Sequence, residues 1–280
     1  MRAILCAGAL ALAAPAQANE PAGAIVSIGG AVTEIVFALG AGDRLVARDT
    51  TSVYPEAALA LPDVGYMRAL SPEGVLSVGP DLILADQNAG PPETVEVLKD
   101  AEVAMVQIPD VFTGEGVQAK IRTIGAAIGV EDKAEALATD VAARLEAAQA
   151  QAEARAGGAK KRVLFVLSAA GGRIMASGSG TAAAAMIELA GAENAVTGFE
   201  GYKPLTDEAV ISAAPDAILM MDRGGDHDSP VDQLVALPWI AATPAGQARA
   251  VVRMDGLYLL GFGPRIPEAV ADLNAALYGG

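Results

Sequence analysis

The chain has 280 residues, which is long for one ordinary domain and sufficient for two lobes. Hydrophobic residues make up 52% of it, so there is enough apolar material for large buried cores. The formal net charge of −15 argues against nucleic-acid binding, because that function requires a basic surface.

Residues 1–18 have the pattern of a secretory signal. Arg2 precedes the apolar stretch "AILCAGALALAA", and "AQA" ending at Ala18 is the small-residue pattern at which such signals are cleaved. The stretch is too short to span a bilayer, which takes about 20 apolar residues. We therefore expect a mature chain that starts near Asn19 and is exported to the periplasm. Cys6 is the only cysteine, so we expect no disulfide and no thiolate metal ligand in the mature chain.

Short apolar runs alternate with helical patterns across residues 19–130. "AIVSIGG", "RLVARD", "DLILAD" and "VAMVQIP" predict strands, whereas "AVTEIVFALG", "SPEGVLSVGP" and "PPETVEVLKDAE" predict helices. This alternation indicates an α/β lobe with a largely parallel sheet.

Residues 131–158 predict a helix that connects two lobes. "EDKAEALATDVAARLEAAQAQAEARA" contains no Pro or Gly and carries an Ala-rich apolar stripe, so it predicts one helix about 39 Å long. A coiled coil is the alternative, but the stripe extends over only about three heptads, and a brace between lobes fits better. "RVLFVLS" then begins a second α/β lobe, over residues 159–280.

One phrase occurs twice, as "GYMRALSPEGVLSVGPDLILA" and as "GYKPLTDEAVISAAPDAILM". Ser71 aligns with Thr206 as the N-cap of a helix, and each copy continues through Pro-Asp into an apolar strand. A helix–turn–strand unit used twice explains these matches and predicts two similar lobes. It does not explain the matched pair Glu73 and Glu208, or the Gly-Tyr that opens each copy.

These features resemble the periplasmic binding proteins that supply ABC importers of ferric siderophores, cobalamin and haem. "GYMRALSPEG", "ASGSGTAAAAMIELAGAENAV", "GYKPLTDEA" and "DGLYLLGFGPR" are similar to the haem-binding branch of this superfamily. The resemblance covers essentially the whole mature chain. It implies an α/β fold of the class III type, in which two similar lobes with mostly parallel central sheets are joined by one long helix, with haem held between them.

The resemblance implies roles for Tyr66 and Arg68. In the haem branch a tyrosine of the first lobe ligates ferric iron, and Tyr66 occupies that motif position. A phenolate is a hard, anionic donor, and tyrosinate ligation of haem is known. Because tyrosine ordinarily titrates near pH ~10, iron and a nearby cation must stabilise the phenolate. Arg68 is the candidate cation, although it could instead bind a haem propionate. Without the resemblance, an isolated loop tyrosine would be given a structural role.

In the second lobe, Tyr202 is expected to face the cleft as an iron ligand, a packing surface or a lobe-edge residue, and packing or a hydrogen bond is favoured. Some members of the haem branch use a histidine in the stretch before "ASGSGT", but here that stretch is "LSAAGGR" and contains none. Lys203 and Arg223 are expected to contact haem propionates together with Arg68, because the loops that carry them should face the cleft.

The resemblance also implies an ABC permease dimer of the inner membrane as partner. One exposed glutamate on each lobe, here Glu73 and Glu208, would meet an arginine pocket of the permease. A first-turn glutamate is also favoured by the helix dipole, and the two roles are compatible. We expect a monomer in which the lobes close only modestly, because one stiff helix resists hinge motion.

The alternative cargoes are a ferric siderophore or cobalamin, carried by the same class of importer. The only histidine, His227, lies in an acidic loop and is given no role, which disfavours a zinc or manganese receptor. "GSGTAA" partly matches a dinucleotide-binding loop but follows a weak strand pattern, and a Ser-His-Asp hydrolase would lack a usable histidine. We therefore expect no enzymatic activity, and no metal site besides the iron of haem.

Overall fold

Two α/β lobes lie on either side of one long helix. A computed structural model describes residues 23–169, 174–222 and 231–279 of the chain. The predicted signal, Arg223 and His227 lie outside the described residues. None of the helices in the described ranges is long and apolar enough to cross a membrane.

The first lobe is a four-stranded parallel sheet with helices packed around it. Its strands are β1 (Ile25–Ile28), β2 (Leu45–Arg48), β3 (Leu82–Asp86) and β4 (Ala104–Ile108). Its helices are α1 (Gly30–Ala38), α2 (Pro72–Leu76), α3 (Pro92–Asp100) and α4 (Gly114–Ile128). The strand order is β2-β1-β3-β4, and every neighbouring pair is parallel. All seven elements predicted for this region from the sequence are therefore confirmed.

The connecting helix is α5 (Glu131–Ala156), with the bounds that the Pro- and Gly-free stretch predicted. The Ala-rich stripe is its buried face, and it packs against α4 on one side and against the C-terminal helix α12 (Ile266–Tyr278) on the other. Small side chains on that face let the helices approach closely. The helix is thus part of the core rather than an exposed linker.

The second lobe contains a mixed sheet in the order β10-β9-β5-β6-β8. Its strands are β5 (Arg162–Ser168), β6 (Ile174–Ser177), β7 (Glu193–Asn194), β8 (Tyr202–Leu205), β9 (Ala217–Asp222) and β10 (Val251–Asp255). Its other helices are α6 (Ala182–Leu189), α7 (Asp207–Ala213), α8 (Val231–Val235), α9 (Pro238–Ala241), α10 (Pro244–Ala248) and α11 (Gly256–Leu260). β5, β9 and β10 are parallel, whereas β6 and β8 run antiparallel to their neighbours.

The repeated phrase forms the same unit in each lobe, α2–β3 in the first and α7–β9 in the second. The hydroxyls of Ser71 and Thr206 cap the two helices, as predicted. The Asp of each Pro-Asp also has a matched role that the sequence did not reveal. Asp81 accepts a hydrogen bond from the Ala24 N–H (2.9 Å), just before β1, and Asp216 accepts one from the Arg162 N–H (2.8 Å), at the start of β5. Each aspartate therefore ties the repeat to the first strand of its lobe.

The lobes share one hydrophobic core. Buried side chains of α1, α4, α5, α6 and α12 form a single cluster that also includes residues of both sheets. Each lobe also has one smaller hydrophobic cluster of its own. The lobes are consequently joined by packed apolar contacts as well as by the chain itself.

Candidate functional site

A cleft of about 970 Å³ separates the lobes. It is lined by residues that follow the carboxyl ends of the parallel strands, where ligands of α/β sheets commonly bind. Val53, Leu167, Met221, Leu257 and Leu260 give it apolar surface. The volume is within the range of small-molecule sites, and the lining combines apolar walls with a few polar groups.

Tyr66 and Arg68 lie on one loop of the first lobe, and both line the cleft. Tyr66 is 46% exposed, which is high for an aromatic side chain without a ligand. Gly65 precedes it in a left-handed conformation (φ 103°) that a residue with a side chain rarely adopts, so glycine is needed to aim the loop. The loop is anchored by the Gly90 N–H, which donates to the Met67 carbonyl (2.8 Å). A fixed loop therefore presents an exposed phenol and a guanidinium to the cleft.

Tyr202 lies on β8 and lines the cleft from the second lobe. Its ring stands edge-on to the ring of Phe165, with centroids 6.2 Å apart. Burial raises the pKa of Tyr202, while polar groups of Thr181 and Ala183, at the start of α6, and the charge of Arg68 oppose the rise. Because a raised pKa disfavours the phenolate form, this environment suits a packing surface better than an iron ligand.

The sequence "GSGTAA" has a structural role at this point. β6, which precedes it, is antiparallel to its neighbours, whereas a dinucleotide-binding loop follows a parallel strand. Thr181 caps α6, and Gly178 is so close to Phe199 that an added Cβ would lie 2.1 Å from the Phe199 carbonyl oxygen. The segment therefore forms the turn between β6, which pairs with the strand of Tyr202, and α6.

The structure does not describe Lys203 or Arg223, the other two predicted propionate contacts, as part of the cleft lining. Lys203 is exposed and is not among the residues that line the cleft, and its ammonium lies 5.5 Å from the centroid of the Phe199 ring. Neighbouring residues of a strand point to opposite faces, so Tyr202 and Lys203 diverge. Arg223 lies outside the described residues. The propionate contacts assigned to these two cations stay predictions.

Glu73 and Glu208 lie in the first turns of α2 and α7. Both side chains are exposed, and neither lines the cleft. The repeat therefore brings an equivalent carboxylate to the surface of each lobe, away from the cargo space.

The sequence reasoning missed four carboxylates that line the cleft, at or just beyond the carboxyl ends of strands: Asp86, Asp110, Asp222 and Asp255. Asp86 is buried, and burial together with the charge of Asp110 raises its pKa, against the opposing hydrogen bonds of Asn88 and charge of Lys120. Asp110 is paired with the fully buried Lys120 (2.7 Å). The available signal was an aspartate at the end of an apolar strand pattern, as in "DLILAD".

Among solved structures, the periplasmic haem-binding protein BhuT in complex with two haems is 46% identical, with a TM-score of 0.87 over 91% of this chain and 97% of that chain. The periplasmic haem-binding protein RhuT from Roseiflexus sp. RS-1, in its apo form, is 40% identical, with a TM-score of 0.87 over 91% and 98% of the two chains.

Two further protein sequences are similar. The uncharacterized ABC transporter substrate-binding lipoprotein YvrC of Bacillus subtilis (strain 168) is 30% identical over 256 residues, 91% of this chain and 79% of that protein. The vitamin B12-binding protein of Pectobacterium atrosepticum is 28% identical over 206 residues, 73% of this chain and 72% of that protein. The family model described as "Periplasmic binding protein" matches residues 25–257.

Proposed function

Since the chain belongs to the periplasmic binding protein family, we propose that it captures haem between its two lobes and delivers it to an ABC importer. The observation that carries this proposal is the exposed Tyr66, held on a loop with Arg68 in the lining of a cleft that has both apolar and polar walls. The similarity to two haem-binding proteins over nearly the whole chain supports the same cargo.

Tyr66 is the proposed iron ligand. It is the more exposed of the two cleft tyrosines, 46% against 38% for Tyr202, and burial raises the pKa of Tyr202, which disfavours its phenolate form. Arg68, two residues from Tyr66, supplies positive charge that favours the phenolate form or binds a propionate. Tyr202 then offers its ring edge as a packing surface for the porphyrin, and Lys203 and Arg223 stay candidates for propionate contacts at the rim.

Delivery would use the two exposed glutamates. Glu73 and Glu208 occupy equivalent positions in the repeated unit, so a permease built from two similar subunits can engage both with the same type of basic pocket. The chain would act outside the cytoplasm as a monomer after loss of residues 1–18. It would bind and release its cargo without chemical turnover.

A haemin titration of the mature protein tests this proposal. Saturable binding with a tyrosinate-type high-spin spectrum is expected for the wild type, and Tyr66→Phe should abolish that spectrum. Tyr202→Phe is the matched control, since it removes the hydroxyl of the other cleft tyrosine and should leave the iron spectrum unchanged. Loss of the spectrum in Tyr202→Phe but not in Tyr66→Phe would move the ligand to the second lobe. Absence of saturable binding would refute the haem assignment.

Cobalamin is the second candidate, because vitamin B12-binding proteins are similar over about three quarters of the chain. The same titration with cyanocobalamin separates the two cargoes. Cyanocobalamin presents no open iron site for a phenolate, so its binding would not depend on the Tyr66 hydroxyl. Tight binding of cyanocobalamin together with weak binding of haemin would favour this alternative, and a ferric siderophore would be tried next if both failed.

A further inference from the structure

Gly65 and Gly201 precede the two cleft tyrosines, and both have a left-handed backbone, with φ values of 103° and 78°. An added Cβ would meet nothing within 4 Å at either glycine. The space around them therefore does not require glycine, whereas the direction of the chain does. Because the tyrosine is the next residue, the backbone angles of each glycine set the direction in which the phenol leaves its loop.

Backbone hydrogen bonds fix both peptide groups of Gly201 in the second lobe. The Gly201 N–H donates to the Ser179 carbonyl (3.0 Å), and the Gly201 carbonyl accepts from the Gly178 N–H (2.8 Å). Gly178 and Ser179 belong to the turn between β6 and α6. These two bonds use no side chain, so the direction of Tyr202 follows from the backbone of the fold.

A side chain makes one of the two corresponding bonds in the first lobe. The Gly65 carbonyl accepts from the Thr50 N–H (3.0 Å), but the Gly65 N–H donates to Asp63 Oδ1 (2.8 Å). An aspartate that accepts from the N–H two residues later forms an Asx-turn, which fixes the backbone locally. The direction of Tyr66 therefore depends on one carboxylate.

The Asp63 carboxylate is itself fixed at the end of β2. Its Oδ2 accepts from Arg48 Nη1 (3.0 Å), and its Oδ1 also accepts from Thr50 Oγ1 (3.2 Å). The Arg48 side chain is only 11% exposed and also donates to the carbonyls of Asp49 (2.9 Å) and Ala58 (3.2 Å). Arg48 cannot turn away without losing these bonds, so it holds the carboxylate in place.

We propose that Asp63 is a positioning residue for haem binding: by fixing Gly65, it keeps the phenol of Tyr66 in the direction that meets the iron. The inference rests on the proposed haem function. Asp63 itself is not among the residues that line the cleft, so it acts through the loop and not by touching haem. If the loop has this direction only about one tenth of the time, haemin binds about tenfold more weakly.

Haemin titrations of Asp63→Ala and Asp63→Asn in the mature protein test the proposal. Alanine removes the acceptor of the Gly65 N–H, so haemin should bind at least about tenfold more weakly and the tyrosinate charge-transfer band at saturation should decrease. Asparagine keeps an acceptor oxygen, so its affinity should stay within about threefold of the wild type. The matched control is Asp81→Ala, because Asp81 is another exposed aspartate of this lobe that accepts from two backbone N–H groups, those of Gly23 (3.2 Å) and Ala24 (2.9 Å). It does not line the cleft, and its loss should change neither the affinity nor the spectrum.

Metal-free protoporphyrin IX separates positioning of the ligand from a general change of the cleft. It has the same ring and propionates as haem but no iron for a phenolate to bind. Asp63→Ala should therefore change its dissociation constant, measured by porphyrin fluorescence, by less than about twofold.

Gly65→Ala reaches the same loop without removing the carboxylate. Its Cβ has open space, so the strain lies in the backbone alone, and the tyrosinate band and haemin affinity should fall as in Asp63→Ala. Gly201→Ala is the matched control, because it introduces the same kind of strain beside the other cleft tyrosine and should leave the tyrosinate band unchanged. This pair decides the question if Asp63→Ala does not fold.

The outcomes distinguish this inference from the function on which it rests. An unchanged haemin affinity and spectrum in Asp63→Ala, or in Gly65→Ala, would overturn the positioning role alone. An equal loss in Asp63→Asn would assign the effect to the ion pair with Arg48, and an equal loss for metal-free protoporphyrin IX would assign it to the cleft as a whole; either would also overturn the positioning role. Absence of saturable haemin binding by the wild type would overturn the proposed function and the positioning role together.

Discussion

The ion pair between Glu34 and Arg265 joins the two lobes, and breaking it should destabilise the protein measurably. Glu34 lies on α1 and is only 5% exposed. The guanidinium of Arg265, just before α12, donates two hydrogen bonds to the Glu34 carboxylate, from Nε to Oε1 (3.0 Å) and from Nη2 to Oε2 (2.8 Å). The guanidinium also stacks 3.5 Å from the centroid of the Tyr54 ring. Replacing Arg265 by methionine leaves a buried carboxylate without its partner.

The expected loss in the free energy of unfolding is about 2–3 kcal/mol for Arg265→Met. Removal of one member of a fully buried pair costs about 3–5 kcal/mol, and the partial exposure of the Arg265 side chain, 27%, reduces that figure. Glu34→Gln/Arg265→Met should cost less than the two single changes added together, by at least about 1.5 kcal/mol, because no charge is left unpaired.

Urea unfolding at pH 7 measures these losses, with the fluorescence of the buried Trp239, the only tryptophan, as the signal. Arg122→Met is the matched control, since Arg122 makes an equally bidentate pair with Glu135 on the exposed surface. That variant should show no measurable loss, because water screens the pair. A loss below about 1 kcal/mol for Arg265→Met, or strict additivity of the two changes, would refute the reasoning.

Three further outcomes are expected. Gly178→Ala should lower the free energy of unfolding by about 1–3 kcal/mol, because its Cβ would overlap a backbone carbonyl, whereas Gly198→Ala, with open space around it, should change it by less than about 0.5 kcal/mol in the same urea assay. The raised pKa of Asp86 means that its contribution to stability is lost as pH rises from about 4 through the folded-state value, so Asp86→Asn should be more stable than the wild type at pH 7, with a smaller advantage at pH 4. Joint replacement of Glu73 and Glu208 by alanine should abolish growth on haem as sole iron source, while haemin binding in vitro is unchanged.

Much of the fold was predictable because its signals are local. The strand β3 and the helix α2 before it follow from an N-cap serine, a Pro-Asp turn and an apolar run, all within a single phrase. The directions of β6 and β8 were not predictable in this way. A short strand such as "IMAS" can pair in either direction, and its direction depends on partners far along the chain.

In the candidate site too, residues that belong to a local motif were predictable and residues brought together by the strand order were not. Tyr66 was predicted because its loop resembles a known motif, and its position at the cleft follows from the repeat. The four aspartates that line the cleft were missed because they lie at or just after the ends of four separate strands. Knowing that Asp222 and Asp255 are register partners requires the strand order of the sheet, which no local pattern contains.

Limited closure of the lobes, predicted from the stiffness of α5, has further support at the base of the cleft. Lys120 is fully buried, and opening the lobes there would remove its hydrogen bond to Gly261, a type of bond that contributes about 1.5–3 kcal/mol when one partner is charged. The rings of Phe112 and Phe262, 5.3 Å apart between centroids, would also separate. Because Lys120 and Phe262 are buried whereas Tyr66 is exposed, adjustment to haem should be confined to the loop of Tyr66. Crystal structures of the free and loaded protein that differ by a large lobe rotation would contradict this.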